Sequence, residues 1–339
     1  MESDNGTSSV ESMTNSYTIL KTNIFVTFGA LILGIVFLLG VPGNLFIIWS
    51  ILARARKRSV TTLLILNLAC ANGCLMCLTV FFIIYLAKQN WIFGTVMCKL
   101  LFYFCNTNMY ASIMIITLMR LHRLVAVMWP TYLTACTRRG TVLLVLGGLW
   151  IVVSLLALPE LIFRRTENYN KERILCTTHH KYPKHAVFQY TFETVVGFLV
   201  PYVIIVSSYV CILRRLRRTM IKRIRRENLI QAIIVTFCIF WLPYHCVNMV
   251  QVAAAVTSDG LLKMKLDSIW KSSSVFTFAL AFISSCANPF LCAFAGRSYI
   301  KTDGLAFMTR FFEGTVQEGT EKPSEQRSSG SKPHWSTDT

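Results

Sequence analysis

Residues Phe25–Ile51 read FVTFGALILGIVFLLGVPGNLFIIWSI, an apolar stretch without a charged residue. A helix needs roughly 20 apolar residues to cross the hydrocarbon core of a bilayer, and this stretch meets that length. Six further blocks of the same kind complete spans one to seven. They are Thr61–Leu86, Met97–Met128, Val142–Phe163, Val187–Leu213, Leu229–Val256 and Ile269–Phe294.

The unbroken apolarity of the spans predicts their secondary structure. In lipid, the backbone satisfies its hydrogen bonds only in helices or closed barrels, and barrel strands alternate apolar with polar residues. We therefore predict an all-α membrane protein, a seven-transmembrane helix bundle over residues 24–296. The polar segment 1–23 precedes the bundle. An amphipathic eighth helix over residues 297–313 and a cytoplasmic tail over 314–339 follow it.

Composition excludes several other classes. A hydrophobic content of 54% with 15% charged residues leaves few charges for a soluble domain. The chain has no His-Glu-x-x-His, Gly-x-Ser-x-Gly or phosphate-loop motif, so an enzyme is not expected. The cysteine and histidine spacing matches no zinc site, and we predict neither a metal nor a cofactor.

The net charge of +18 is concentrated in alternate loops. These loops hold Arg54, Arg56, Lys57, Arg58, Arg138, Arg139, Arg214, Arg215, Arg217, Arg218, Lys222, Arg223, Arg225 and Arg226. The positive-inside rule places them in the cytoplasm, against membrane lipids rather than nucleic acid. The N-terminus is then outside the cell and the C-terminus inside. The sequon at Asn5 predicts a glycosylated exterior segment.

Two of the twelve cysteines stand apart from the rest. Most of the others lie inside spans, where buried thiols pack as small apolar groups. Cys98 begins span three, and Cys176 lies in the long loop after span four. Because the exterior is oxidising, we predict a disulfide between Cys98 and Cys176 that holds this loop over the bundle.

Polar and kinking residues inside the spans are costly and point to function. Span five contains the carboxylate Glu193. Prolines within spans five, six and seven remove backbone hydrogen bonds and predict bends, at Pro201, Pro243 and Pro289.

The pattern of these residues resembles the rhodopsin-class (class A) G protein-coupled receptors. The resemblance covers roughly residues 24–313. It depends on Asn44 in span one, Arg123 closing span three, Trp150 in span four, Trp241 with Pro243 in span six, and Asn288 with Pro289 in span seven. Within this class, the strings VPGN from Val41, MYAS from Met109 and FWLPYH from Phe240 are similar to the leukotriene B4 receptors.

The resemblance implies a ligand cavity and the residues that form it. Leukotriene B4 is a dihydroxylated fatty acid, so its receptors need an apolar slot, a cation for the carboxylate and polar partners for the hydroxyls. The implied ligand-binding residues are Arg164, Glu193, Tyr244, Tyr110 and Lys271. This chain departs from the family where Ser274 replaces an arginine of span seven and Phe102 replaces a histidine of span three.

The resemblance also implies a signalling switch and its partners. The implied switch residues are Arg123, Asn72, Trp241, Pro243, Asn288, Pro289 and Cys292. Three positions depart from the family. His122 replaces the acid before Arg123, Asn72 replaces a carboxylate and would bind sodium poorly, and Cys292 replaces a tyrosine. The expected partners are an inhibitory-class heterotrimeric G protein and, at the Ser- and Thr-rich tail, arrestin. The expected role is in chemotaxis.

Other functions stay open at this point. The altered switch also fits a non-signalling decoy receptor for a lipid. A receptor for a chemoattractant peptide is a second alternative. A transporter or channel is a third, because Glu193 within an apolar span could mark an ion path.

Overall fold

The computed structural model describes residues 5–54, 60–131, 138–170, 173–216 and 224–295. Nine α-helices occur in these ranges. They are α1 (Asn5–Arg54), α2 (Val60–Lys88), α3 (Gly94–Met128), α4 (Arg139–Leu156), α5 (Leu158–Phe163), α6 (Pro183–Thr194), α7 (Val200–Leu216), α8 (Ile224–Val256) and α9 (Gly260–Ala295). A π-helical turn, Val195–Leu199, joins α6 to α7. Strands β1 (Arg164–Asn170) and β2 (Arg173–Thr178) form an antiparallel hairpin.

The helices confirm the predicted bundle of seven membrane spans. Seven stretches are long and apolar enough to cross a bilayer. They are Val26–Ala53, Val60–Lys88, Gly94–Met128, Gly140–Phe163, Pro183–Arg215, Ile234–Val256 and Gly260–Ala287. Span four consists of α4 and α5, and span five of α6, the π-helical turn and α7. The predicted eighth helix at 297–313 and the tail at 314–339 lie outside the described residues.

The apolar residues of the spans divide between a packed interior and a lipid-facing exterior. Ile51, Leu64 and Ile115 are fully buried between helices, whereas Leu144 on span four is 77% exposed. Exposure of a large aliphatic side chain is costly in water and favourable in hydrocarbon, so this distribution fits a bilayer. Spans one and seven pack closely where Gly43 meets Pro289. A Cβ at residue 43 would lie 2.9 Å from the proline ring.

The β1–β2 hairpin covers one end of the bundle, which we call the hairpin end. The predicted disulfide is confirmed: Cys176 of β2 is bonded to Cys98 of span three, with their Cα atoms 5.7 Å apart. Beside it, the Trp91 backbone N–H donates to the Ile174 carbonyl at 2.8 Å. The hairpin therefore has both a covalent and a hydrogen-bonded attachment to the bundle.

Loss of this disulfide should disrupt the hairpin end. We expect Cys98→Ser and Cys176→Ser each to lower the surface level of the protein strongly, since removal of a native disulfide typically costs about 2–5 kcal/mol. Surface labelling of an N-terminal epitope tag measures the effect, with Cys246→Ser on an exposed, unbonded cysteine as control. The double variant should be no worse than either single variant. Normal surface levels of both single variants would contradict a structural role of the disulfide.

Candidate functional site

A cavity lies beneath the hairpin, between spans two, three, six and seven. Its free space, about 20 Å³, has room for a single water molecule. It is lined by Leu75, Phe102, Cys105, Asn106, Arg164, Trp241, Tyr244, Phe278 and Phe282. Small-molecule sites combine an apolar, aromatic lining with few polar groups. The lining of the cavity therefore has the character of a small-molecule site, and its aromatic side chains must move apart to admit a lipid.

Aromatic packing fixes the shape of the cavity wall. Phe82 makes edge-to-face contacts with Phe102 and Phe278, at ring-centroid distances of 5.2 and 5.4 Å. At the deep end, the Trp241 indole N–H donates to the Ser284 hydroxyl at 2.8 Å. This hydrogen bond holds the indole of span six against span seven. A ligand that reaches the deep end would contact Trp241, whose hydrogen bond joins span six to span seven.

Arg164 is the first residue of the hairpin, and its guanidinium is held on two sides. Its Nε and Nη2 both donate to Oε2 of Glu160, one helical turn earlier in span four, at 2.9 and 2.8 Å. The guanidinium carbon lies 3.6 Å from the ring centroid of Phe102, a close cation–π contact. Burial alone would lower the pKa of Arg164, but the Glu160 carboxylate raises the pKa above its usual value. Arg164 therefore remains charged in the cavity wall.

Glu160 is fixed through both of its carboxylate oxygens. Its Oε1 accepts a hydrogen bond from Nε2 of Gln189 at 2.8 Å, and the Gln189 carbonyl oxygen lies 2.8 Å from Nε2 of His180. Burial lowers the pKa of His180, which favours the neutral ring with a proton on Nε2. A continuous polar chain thus runs from the hairpin end through span five to the ion pair. The Glu160 side chain is almost fully buried.

Sequence reasoning missed Glu160, Gln189 and His180. Glu160 carried a usable signal, because an acidic residue within an apolar span is as informative as Glu193. Gln189 and His180 carried no comparable signal, since their contact with Glu160 depends on how spans four and five and the hairpin pack.

A second polar group joins spans five and six. Asn248 donates to Oε1 of Glu193 at 3.3 Å, and the Tyr244 hydroxyl is hydrogen-bonded to the same carboxylate. Glu193 itself is only 2% exposed and does not line the cavity. Tyr244 lines the cavity, so it connects Glu193 to any molecule bound there. Just after Glu193, the π-helical turn brings Gly197 close to Tyr110, where a Cβ would lie 2.9 Å from the tyrosine ring.

The structure brings some of the predicted ligand-binding residues together and separates others. Arg164 and Tyr244 line the cavity, and Glu193 contacts Tyr244. Tyr110 is buried against the π-helical turn. Lys271 is exposed, with its ammonium 5.6 Å from the ring centroid of Trp270, and does not line the cavity. A role for each of the five in binding stays a prediction.

The predicted switch residues lie deeper in the bundle. Asn72 accepts a hydrogen bond from the Ser112 hydroxyl at 3.3 Å, and its side-chain amide nitrogen is buried without a described partner. Because a neutral amide lacks the charge of a carboxylate, weak binding of sodium at Asn72 stays a prediction. Pro243 lies inside α8, and Pro289 inside α9. The side chains of Asn288 and Cys292 lie outside the described part of the structure.

At the end opposite the hairpin, span three carries two arginines one turn apart. Arg123 is half-buried beside His122. Arg120 is fully buried, with its guanidinium carbon 5.3 Å from the ring centroid of Tyr209 in span five. The Arg120–Tyr209 contact was not predicted from the sequence. It links spans three and five next to the predicted switch.

Comparison with known proteins gives a consistent set of relatives. Residues 43–291 match the family model described as 7 transmembrane receptor (rhodopsin family). The chain is 38% identical to leukotriene B4 receptor 1 of Homo sapiens over 295 residues, covering 86% of this chain and 83% of the relative. It is 34% identical to leukotriene B4 receptor 2 of Homo sapiens over 284 residues, covering 82% and 78%. It is 31% identical to the C3a anaphylatoxin chemotactic receptor of Danio rerio over 315 residues, covering 89% and 82%.

The buried ion pair in the cavity wall predicts unequal effects of mutation. We expect Arg164→Gln to lower the thermal unfolding midpoint of the purified protein clearly, because removing one partner of a buried ion pair typically costs about 3–5 kcal/mol. Adding Glu160→Gln should restore part of the loss, since the carboxylate is then no longer buried without its cation. Differential scanning fluorimetry in detergent measures the midpoints.

The exposed pair of Arg165 and Glu167 supplies the control. Its nitrogen–oxygen distance of 2.9 Å matches that of the buried pair, but both side chains are 40% exposed or more. Arg165→Gln should therefore leave the midpoint almost unchanged, as is usual for surface ion pairs. Equal decreases of the unfolding midpoint in Arg164→Gln and Arg165→Gln would show that the buried ion pair stabilises the protein no more than the exposed pair does.

Proposed function

Since the chain belongs to the rhodopsin family of seven-transmembrane, G protein-coupled receptors and is of the leukotriene B4 receptor type, we propose that its ligand is leukotriene B4 or a related hydroxylated fatty acid. It is a receptor and not an enzyme. The observation that carries the proposal is the cavity beneath the hairpin, which combines an aromatic interior with a cation, Arg164, and a polar hydroxyl, Tyr244. These are the features that an elongated lipid with one polar end and further hydroxyl groups requires.

The lipid chain would lie along the aromatic wall. Phe102, Phe278 and Phe282 offer ring faces and edges without hydrogen-bonding groups, and burial of hydrocarbon against them contributes roughly 25 cal/mol per Å². Trp241 closes the deep end. The polar head of the lipid would contact Arg164 near the hairpin. One of its hydroxyls would donate a hydrogen bond to the oxygen of Tyr244, whose own O–H is hydrogen-bonded to the Glu193 carboxylate.

The charge around the hairpin end supports an anionic or neutral ligand over a basic peptide. Among the residues whose exposure the structure describes, exposed cations at this end outnumber exposed acids. They are Lys88, Arg165, Arg173, Lys181, Lys184, Lys263, Lys265 and Lys271, against Glu167 and Asp259. Such a field attracts anions and raises their association rate. The similarity to a chemotactic peptide receptor nevertheless makes a peptide ligand the second candidate.

The seven-span membrane protein would then lie in the plasma membrane with the hairpin end outside. The N-terminus, with a glycan on Asn5, would be extracellular, and the C-terminus cytoplasmic. At the opposite end, Arg123 and the basic residues after span five would form the contact with an inhibitory-class G protein. The Ser- and Thr-rich tail would take arrestin after phosphorylation, and the signal would serve chemotaxis.

Recognition of a lipid hydroxyl by Tyr244 and Glu193 can be tested by comparing the affinities of several lipids for the native receptor and for variants. A panel of eicosanoids should contain binders, and leukotriene B4 should compete better than arachidonic acid, which lacks the hydroxyls. Tyr244→Phe should reduce this preference about tenfold, as expected for one hydrogen bond that a charged group strengthens. Competition binding on membranes measures the affinities.

The control is Tyr182→Phe, an exposed tyrosine at the hairpin end outside the cavity, which should preserve the preference. No binding of any eicosanoid to receptor present at the cell surface would reject the lipid proposal. Binding of a C3a-type peptide instead would favour the second candidate.

Signalling through Arg123 is tested by G protein activation in cells, normalised to surface level. Arg123→Ala should abolish agonist-driven activation of an inhibitory-class G protein while ligand affinity changes little, because Arg123 lies at the end opposite the cavity. Cys292→Tyr, which restores the family's residue, should raise the maximal response. A native receptor that binds ligand and never activates any G protein would instead be a decoy receptor.

A further inference from the structure

The polar end of the cavity contains a charge pair rather than a lone cation. Among the residues that line the cavity in the described part of the chain, Arg164 is the charged one. Its Nε and Nη2 are both directed at one oxygen of Glu160. A guanidinium has five N–H donors, so Nη1 is the nitrogen that Glu160 leaves unengaged.

Glu160 cannot turn away from Arg164 without loss. Its second oxygen accepts the Gln189 amide at 2.8 Å, and Gln189 is held in turn by His180 at 2.8 Å. Rotation of the carboxylate would break these hydrogen bonds in a buried site, where unpaired polar groups are costly. The pair is thus a fixed part of the cavity wall.

A carboxylate that binds Arg164 must therefore lie beside a second carboxylate. It gains attraction from the guanidinium, repulsion from Glu160 offsets part of that attraction, and a charged head group also loses more hydration on burial than an amide does. The carbonyl oxygen of an amide can accept the same hydrogen bond from Nη1 without the like-charge repulsion.

We propose that Glu160 determines the head-group specificity of this receptor. By holding Arg164 in a neutral pair, it lowers the affinity for carboxylates, so that a lipid acid and its uncharged amide bind about equally well. The natural ligands then include lipid mediators whose polar end is uncharged. The inference rests on the proposed function, because it concerns the head group of the lipid assigned to this cavity.

The test compares leukotriene B4 with its primary amide on the full-length receptor in membranes. In the native chain, we expect the two affinities to agree within about threefold. In Glu160→Gln, the affinity for the acid should rise about tenfold or more while that for the amide stays within about threefold. Glu160→Asp, which keeps the charge, should retain the native lack of discrimination.

Glu167→Gln is the matched control, since Glu167 pairs with Arg165 at 2.9 Å but is exposed. It should leave the ratio of acid to amide affinity unchanged. The comparison within the native chain needs no variant, so it can overturn the inference even if Glu160→Gln fails to reach the membrane. A native preference of tenfold or more for the acid would overturn the inference, as would an equal change of both affinities in Glu160→Gln.

The binding results distinguish a wrong role of Glu160 from a wrong proposed function. If both probes bind but Glu160→Gln leaves their ratio unchanged, only the role of Glu160 is wrong. If neither probe binds the native receptor or Glu160→Gln at the surface, the eicosanoid proposal is wrong and the head-group inference falls with it.

Discussion

The ion pair of Glu160 and Arg164 connects spans three, four and five with the hairpin. Glu160 belongs to span four and Arg164 opens the hairpin, so the pair fixes the direction in which the chain leaves the membrane. Phe102 of span three packs on the guanidinium, and Gln189 of span five binds the carboxylate. A buried cation without such partners would have to lose its charge or draw in water. The shape of the hairpin end and the chemistry of the cavity therefore both depend on this pair.

The bundle itself could be predicted from length and apolarity, because a lipid environment leaves few alternatives. The ends of the spans could not. Span seven was expected from Ile269, yet its helix begins at Gly260, where Asp259 accepts hydrogen bonds from the Leu261 and Leu262 backbone N–H groups at 2.9 and 3.2 Å. Lys263, Lys265 and Asp267 lower the hydropathy of this first part, although they do not interrupt the helix. Hydropathy indicates whether a residue lies in lipid or in water, whereas capping determines where a helix starts.

The candidate site was predictable only in part. Resemblance pointed to Arg164 and Tyr244, which do line the cavity, and to Lys271, which is exposed beside Trp270 and does not line it. Glu160 was overlooked, so Arg164 was expected as a free cation rather than as half of an ion pair. The partners Gln189 and His180 are separated from Glu160 by many residues along the chain, and no local pattern reports such a contact. Side-chain pairing across spans is a property of the packed bundle.

The proposed binding mode places a hydroxylated lipid in the cavity beneath the hairpin with its polar end at Arg164. A cryo-EM structure of the receptor with leukotriene B4 tests this binding mode most directly. We expect lipid density along Phe102, Phe278 and Phe282, the head group within hydrogen-bonding distance of Nη1 of Arg164, Glu160 still paired with the guanidinium, and one hydroxyl beside Tyr244. Lipid density confined to the outer surface of the bundle, with the cavity empty, would contradict it.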